Sequence, residues 1–131
     1  MINLLLLAAI LIPFFAIQHL VIRFIARRNG FKPVTHDLSG LGPVLFRQRW
    51  GSVRIGKTTS WGRSVTITAF QDYLHLRLNP LMGGGELLLP LQSAEYEFSR
   101  WMRGELVDIA IDGKTYLFGK KIVQIVKQHY V

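Results

Sequence analysis

The 131-residue chain contains no cysteine, which excludes a disulfide framework and thiolate metal sites and agrees with a reducing compartment. No Lys or Arg precedes Arg23, so the apolar N-terminus lacks the basic n-region of a cleaved secretory signal. No GxSxG, no HExxH and no phosphate loop closing on Gly-Lys-Ser/Thr occurs, and no Ser, Thr or Lys is flanked by partners that would mark a nucleophile. Repeats and low-complexity tracts are absent too. The four histidines, His19, His36, His75 and His129, have neither a second His nor a carboxylate at ligand spacing on a common helix face or strand, whereas a metal site needs convergent, supported ligands. The expectation is a non-enzymatic protein with no catalytic residues, no metal and no cofactor.

What is present begins with MINLLLLAAILIPFFAIQHLVIRFIA. From Leu4 to Ile17 no residue is polar, and after Gln18-His19 the run resumes through Leu20, Val21 and Ile22. About 20 residues at a rise of about 1.5 Å each cross the hydrocarbon core, so a retained single span is expected. Arg23, Arg27, Arg28 and Lys32 all follow it, which by the positive-inside rule places the N-terminus outside and the C-terminal side in the cytoplasm. Four of the 16 cations and none of the eight acids fall in residues 23 to 33, so this flank supplies half of the net charge of +8. A chain tied to a bilayer meets anionic lipid before nucleic acid, and no nucleic-acid partner is expected. Gln18 and His19 are read as interfacial together with Arg23, Arg27 and Arg28; contact with a partner helix, or ligation of a tetrapyrrole by His19, are the alternatives.

Residues 1–28 thus form the anchor and its basic flank. Residues 29–43, NGFKPVTHDLSGLGP, read as a linker, and residues 44–131 are one small domain near the lower limit for an independent core. VLFRQRW fits a short helix or a first strand. Val65, Ile67 and Ala69 alternate with hydroxyls, and Leu74, Leu76 and Leu78 alternate with outward Tyr73, His75 and Arg77, the period of a half-buried antiparallel sheet. Further strands are expected over 86–90, over 93–98 with Glu95 and Glu97 facing water, and over 105–111. Asp112-Gly113 predicts a type I′ turn into Lys114–Phe118. Ile122, Val123, Ile125, Val126 and Tyr130 form one apolar stripe of a closing helix. Gly83-Gly84-Gly85 precedes a strand and lacks the lysine of a phosphate cradle, so it reads as a flexible turn.

The order of anchor, linker, seven short antiparallel strands and a C-terminal helix resembles the pleckstrin-homology (PH) and GRAM-like superfold. The likeness is strongest over residues 52–126, where a strand of the "LHLRL" kind leads through a loop to an apolar "LLLPL" strand containing Pro90. In this the chain resembles small membrane-anchored PH-like proteins of bacteria. The resemblance implies a small β barrel or sandwich closed by the helix, a bacterial inner-membrane location, and a scaffold that binds a peptide, a protein face or a lipid head group.

A simple meander brings alternate connections to one end. The loops KTTSWGR, NPLMGGG and SRWMRG would then present Lys57, Trp61, Arg63, Leu81, Met82, Arg100, Trp101, Met102 and Arg103 together, with no acid among them. Tryptophan with basic neighbours suits a protein hot spot or a membrane–water interface; alternatively one or both indoles fold back over the core. The expected role is an accessory subunit contacting other integral membrane proteins, with binding of anionic lipid as the alternative and no small-molecule substrate.

Overall fold

The computed structural model describes residues 3–33, 38–57, 59–102 and 104–130. Helix α1 runs over Leu4–Arg28, its first turn capped by Asn3, whose side-chain oxygen accepts from the Leu5 N–H at 3.0 Å. Its 25 residues extend roughly 37 Å at the standard rise, longer than the hydrocarbon core of a bilayer. From Leu4 to Ile17 the helix is apolar on all sides, and its 18-residue apolar window has a mean hydropathy of 2.4 with none of it buried. It is therefore long and apolar enough to span a membrane. Asn29 and Gly30 end it, Gly30 at φ 103°.

A 3₁₀ turn at Leu38–Leu41 precedes seven strands: β1 (Phe46–Ile55), β2 (Thr59–Ala69), β3 (Tyr73–Leu78), β4 (Glu86–Pro90), β5 (Glu95–Trp101), β6 (Gly104–Ile111) and β7 (Lys114–Phe118). Helix α2 (Lys120–His129) closes the chain. All pairings are antiparallel, in the order β4-β3-β2-β1-β7-β6-β5. The ambiguous VLFRQRW segment thus leads into a strand, and β3, β4, β6, β7 and α2 lie where the alternation and the apolar stripe predict them, whereas β2 begins earlier, at Thr59, and β5 is shifted to Glu95–Trp101, so that Ser99, Arg100 and Trp101, expected on a loop, end a strand. Asp112 and Gly113 have φ of 50° and 80°, the left-handed pair that a type I′ turn requires.

The sheet curls into a half-barrel because β1 bends. Trp50 sits at φ 58° and the β1–β2 register slips on both sides of Gly51. A Cβ on Gly51 would lie 2.8 Å from Ile67 Cδ1 and 3.2 Å from Val65 O, so glycine lets the bent strand cross its partner without displacing the buried Ile67. Past the bend, β1 pairs with β7 through Arg54↔Leu117 and Ile55↔Tyr116. The concave face collects Val53, Val65, Ile67, Leu74, Leu76, Leu78, Leu89, Val107, Ile109 and Phe118, onto which α2 lays Ile122, Val123, Ile125 and Val126. Tyr130, at the end of α2, donates its hydroxyl hydrogen bond to the Phe70 carbonyl, so the helix ties the β6 side of the sheet to the β2–β3 connection.

The first residues of the segment read as a linker are packed into this domain. Phe31 is fully buried, and Lys32 forms an antiparallel bridge with Glu86 through Lys32 N–H to Glu86 O at 2.9 Å and the reverse bond at 2.7 Å.

Candidate functional site

Two surfaces gather the residues singled out from the sequence. The first is the junction of α1 with the sheet. Arg27 reaches back over the β3–β4 loop: its Nη1 donates to Gly84 O (2.7 Å) and Phe31 O (3.2 Å), and its Nη2 to Gly83 O (3.4 Å). The triple glycine is not a flexible turn. All three residues have positive φ, a Cβ on Gly83 would lie 3.0 Å from Arg23 Cα, and one on Gly85 would lie 2.5 Å from Arg27 Nη1 and 2.8 Å from Lys32 O. Glycine is needed both for the left-handed backbone and for the approach of loop to helix. Further along α1, His19 Nε2 lies 3.4 Å from Pro80 O. Of the five residues read as interfacial, Gln18, His19, Arg23 and Arg28 are exposed, while Arg27 is partly buried on its own domain's carbonyls.

Trp61 is not on a loop. It lies in β2 opposite Val53, only 4% exposed, with its ring edge-on to Phe31 (centroids 5.9 Å apart, 80° between planes). Its indole Nε1 has no hydrogen-bond partner among the described residues. Arg63 is also in β2, at φ 49°, a conformation that turns the strand there; its N–H donates to Ser52 Oγ and its side chain is exposed. The first expected loop shrinks to the connection between Ile55 and Thr59, which keeps Lys57 exposed.

The expected gathering of the three loops at one end does not occur. In the order β4-β3-β2-β1-β7-β6-β5, β4 and β5 are opposite edges and do not pair. Pairing β1 with β7 then fixes β5 in the same direction as β4, the reverse of a meander, so the β5–β6 connection falls at the far end. The Asp112-Gly113 turn takes its place: Gly56 N–H donates to Thr115 O at 2.9 Å. Between these turns and α1 lies a hollow of about 730 Å³ whose lining includes Arg28, Lys57 and Lys114 with Asn29 and Thr59. Among the described residues that line it are three cations and no acid.

The second surface is the tip of the β5–β6 hairpin. Arg100, Trp101 and Met102 are there, with Trp101 67% and Met102 86% exposed. Arg103 lies outside the described residues, as does His36. Arg100 and Trp101 border a hollow of about 720 Å³ that extends across Ser52, Arg54, Leu106 and Leu117 to Gly119 at the start of α2. Leu81 and Met82 belong to the other surface. Leu81 is 80% exposed, and Met82 is partly buried against the core.

His75, expected to face water, is 3% exposed. Its Nε2 lies 2.8 Å from Glu86 Oε2, and Glu86 is itself 1% exposed. The alternation puts His75 on the outer face of β3 as anticipated, but that face is covered here, and a cross-strand carboxylate is not visible from either residue's own strand. Glu95 and Glu97 are exposed as predicted. Among the described residues no three His, Cys, Asp or Glu side chains converge. Burial raises the pKa of Tyr96 and Tyr116, the latter also through Asp112, and pushes Tyr130 up to about 12 through burial and then the charges of Tyr96 and Asp72.

Sequence reasoning missed Phe31 and Trp50. An aromatic between Gly30 and Pro33 in a Gly- and Pro-rich segment was a signal for the first, and Trp followed by Gly directly after Arg47-Gln48-Arg49 for the second. Comparison with protein-family models, curated proteins and solved structures gives no match to the chain.

Proposed function

We propose that this is a non-enzymatic, single-span protein of a bacterial inner membrane, N-terminus out, whose cytoplasmic PH-like domain is a docking module for another integral membrane protein within a larger complex. The observation that carries it is the hairpin tip: an exposed Trp101 and Met102 with Arg100 beside a broad hollow, at the end of the sheet away from α1. Trp and Arg dominate the energetics of protein contacts and Met adapts to its partner. Tethering by α1 raises the tip's effective concentration near neighbouring membrane proteins. The PH-like reading is supported by two antiparallel meanders joined through β1 and β7 with α2 packed across the opening. The test is mild-detergent co-purification of the full chain. Membrane subunits are expected at fixed ratio, and Trp101→Ala with Met102→Ala should release them while the fold is retained. Recovery unaffected by the double variant would refute the assignment of the tip.

A second reading, capture of an anionic phospholipid head group, is favoured by the hollow lined by Arg28, Lys57 and Lys114 beside the end of the span. Cations facing a negative leaflet contribute on the order of 1 kcal/mol each. Native mass spectrometry of the detergent-solubilised chain should then show retained anionic lipid that is lost in Lys57→Glu/Lys114→Glu.

A further inference from the structure

The β3–β4 loop lies along α1 in a graded way. Gly84 is bonded to Arg27, Gly83 packs on Arg23 and Ala26, and Pro80 O lies against His19. The loop therefore runs up the helix against the direction of the chain, and its 3₁₀ turn at Pro80–Met82 ends up beside His19. His19 precedes Arg23, the first cation of the flank, by four residues, or roughly 6 Å along the axis. If the helix spans a bilayer with its arginines at the phosphates, the tip of this loop lies on the apolar side of them.

We propose that this loop is a second contact of the protein with the lipid surface, with Leu81 seated among the upper acyl chains and Trp50 at head-group level. The proposal rests on the reading of α1 as a span. A single exposed leucine is ordinary on a soluble surface; what distinguishes Leu81 is its level on the helix. The backbone of the tip is also prepared for a poorly hydrated place. Pro80 has no N–H, and the next four are satisfied inside the loop: Leu81 N–H by Asn79 Oδ1 (2.9 Å), Met82 and Gly84 N–H by Asn79 O (2.9 and 3.1 Å), and Gly83 N–H by Pro80 O (3.2 Å). Irregular backbone is tolerated near hydrocarbon only when its polar groups are paired in this way. Trp50 is held outward, 66% exposed, by its left-handed backbone, and it shares a hollow with Asn79, Pro80, Arg49 and Arg77. Among the described residues lining that hollow none is acidic. An indole flanked by arginines next to an apolar tip is the arrangement that suits head groups above acyl chains. The seat would fix the domain's orientation on the membrane at two points, α1 and the loop.

Because the chain has no cysteine, single labels are unambiguous. Leu81→Cys, Met102→Cys and Phe14→Cys, each in the full chain, would be spin-labelled and reconstituted in phosphatidylcholine/phosphatidylglycerol vesicles, and collision rates read with oxygen and with a water-soluble nickel complex. The expected result is an oxygen-to-nickel ratio severalfold higher at positions 81 and 14 than at 102. A ratio at 81 equal to that at 102, with 14 still lipid-exposed, would overturn the seat and leave the span standing. An aqueous ratio at 14 would overturn both. Shielding of position 81 from oxygen and nickel alike would mean that protein, not lipid, covers the loop, and would overturn the proposal.

Discussion

Arg27 and Arg28 are adjacent cations in the same helical turn, yet only one is spent on the fold. Arg27 donates to the carbonyls of Phe31, Gly83 and Gly84, whereas Arg28 is exposed on the rim of the cationic hollow. A charged donor to carbonyls is worth about 1.5–3 kcal/mol, and a solvated arginine next to none. Arg27→Ala should therefore loosen the junction by about 2 kcal/mol, read as faster hydrogen exchange at the Lys32 and Glu86 amides, while Arg28→Ala leaves that exchange unchanged. Gly85→Ala probes the same contact from the loop. It forces a Cβ to within 2.5 Å of Arg27 Nη1 at φ 106° and should cost about 2 kcal/mol by the same readout. None of this was legible in the sequence, where four cations after an apolar run are equivalent. TSWGR and SRWMR look alike as well. The indoles part because Trp61 falls opposite Val53 on the inward face of β2 while Trp101 ends an edge strand beside a turn.

Element by element the chain was readable wherever one face is buried and the other wet. Leu74, Leu76 and Leu78 mark β3 by period two, and Ile122, Val123, Ile125 and Val126 mark α2 by period 3.6. β1 escaped a firm assignment because its bend at Trp50–Gly51 breaks the alternation that identifies a strand. The docking of α2 has a pH signature. Tyr130 ends the helix, donates to Phe70 O, and has its pKa raised to about 12 from the ordinary 10.0. The folded state holds that proton more tightly than the unfolded chain, so the stabilisation is complete below pH 10 and is lost as pH rises towards 12. Thermal unfolding followed across pH 9–12 should show a falling midpoint. Tyr130→Phe should be about 1 kcal/mol less stable at neutral pH, from the lost hydrogen bond, and should fall less steeply above pH 10. A residual slope is expected from Tyr96 and Tyr116, whose pKa values burial also raises.

At the scale of the whole molecule the decisive contact is the one that local pattern cannot encode. Two residue pairs, Arg54↔Leu117 and Ile55↔Tyr116, join the two meanders and reverse the second, which separates the hairpin tip from the junction and brings the Asp112-Gly113 turn to α1. The linker was opaque for a related reason. A Gly- and Pro-rich segment reads as mobile until a partner edge is found for it, and here β4 offers that edge to Lys32 while Phe31 enters the core against Trp61. The packed unit therefore includes Phe31 and Lys32, ahead of the expected start at residue 44. A chain starting at Gly42 loses Phe31 and Ala26 from the core and the bridge to Glu86. Burial of one phenylalanine side chain alone is worth about 1.5–3 kcal/mol, a large share of the stability of so small a domain. The truncated chain should unfold at a lower urea midpoint than one starting at Ile22, which retains the junction, and its tryptophan emission should shift to the red as Trp61 is uncovered. Equal midpoints and equal emission would show that α1 and the sheet are independent units, and with that the fixed geometry between α1 and the sheet would be lost.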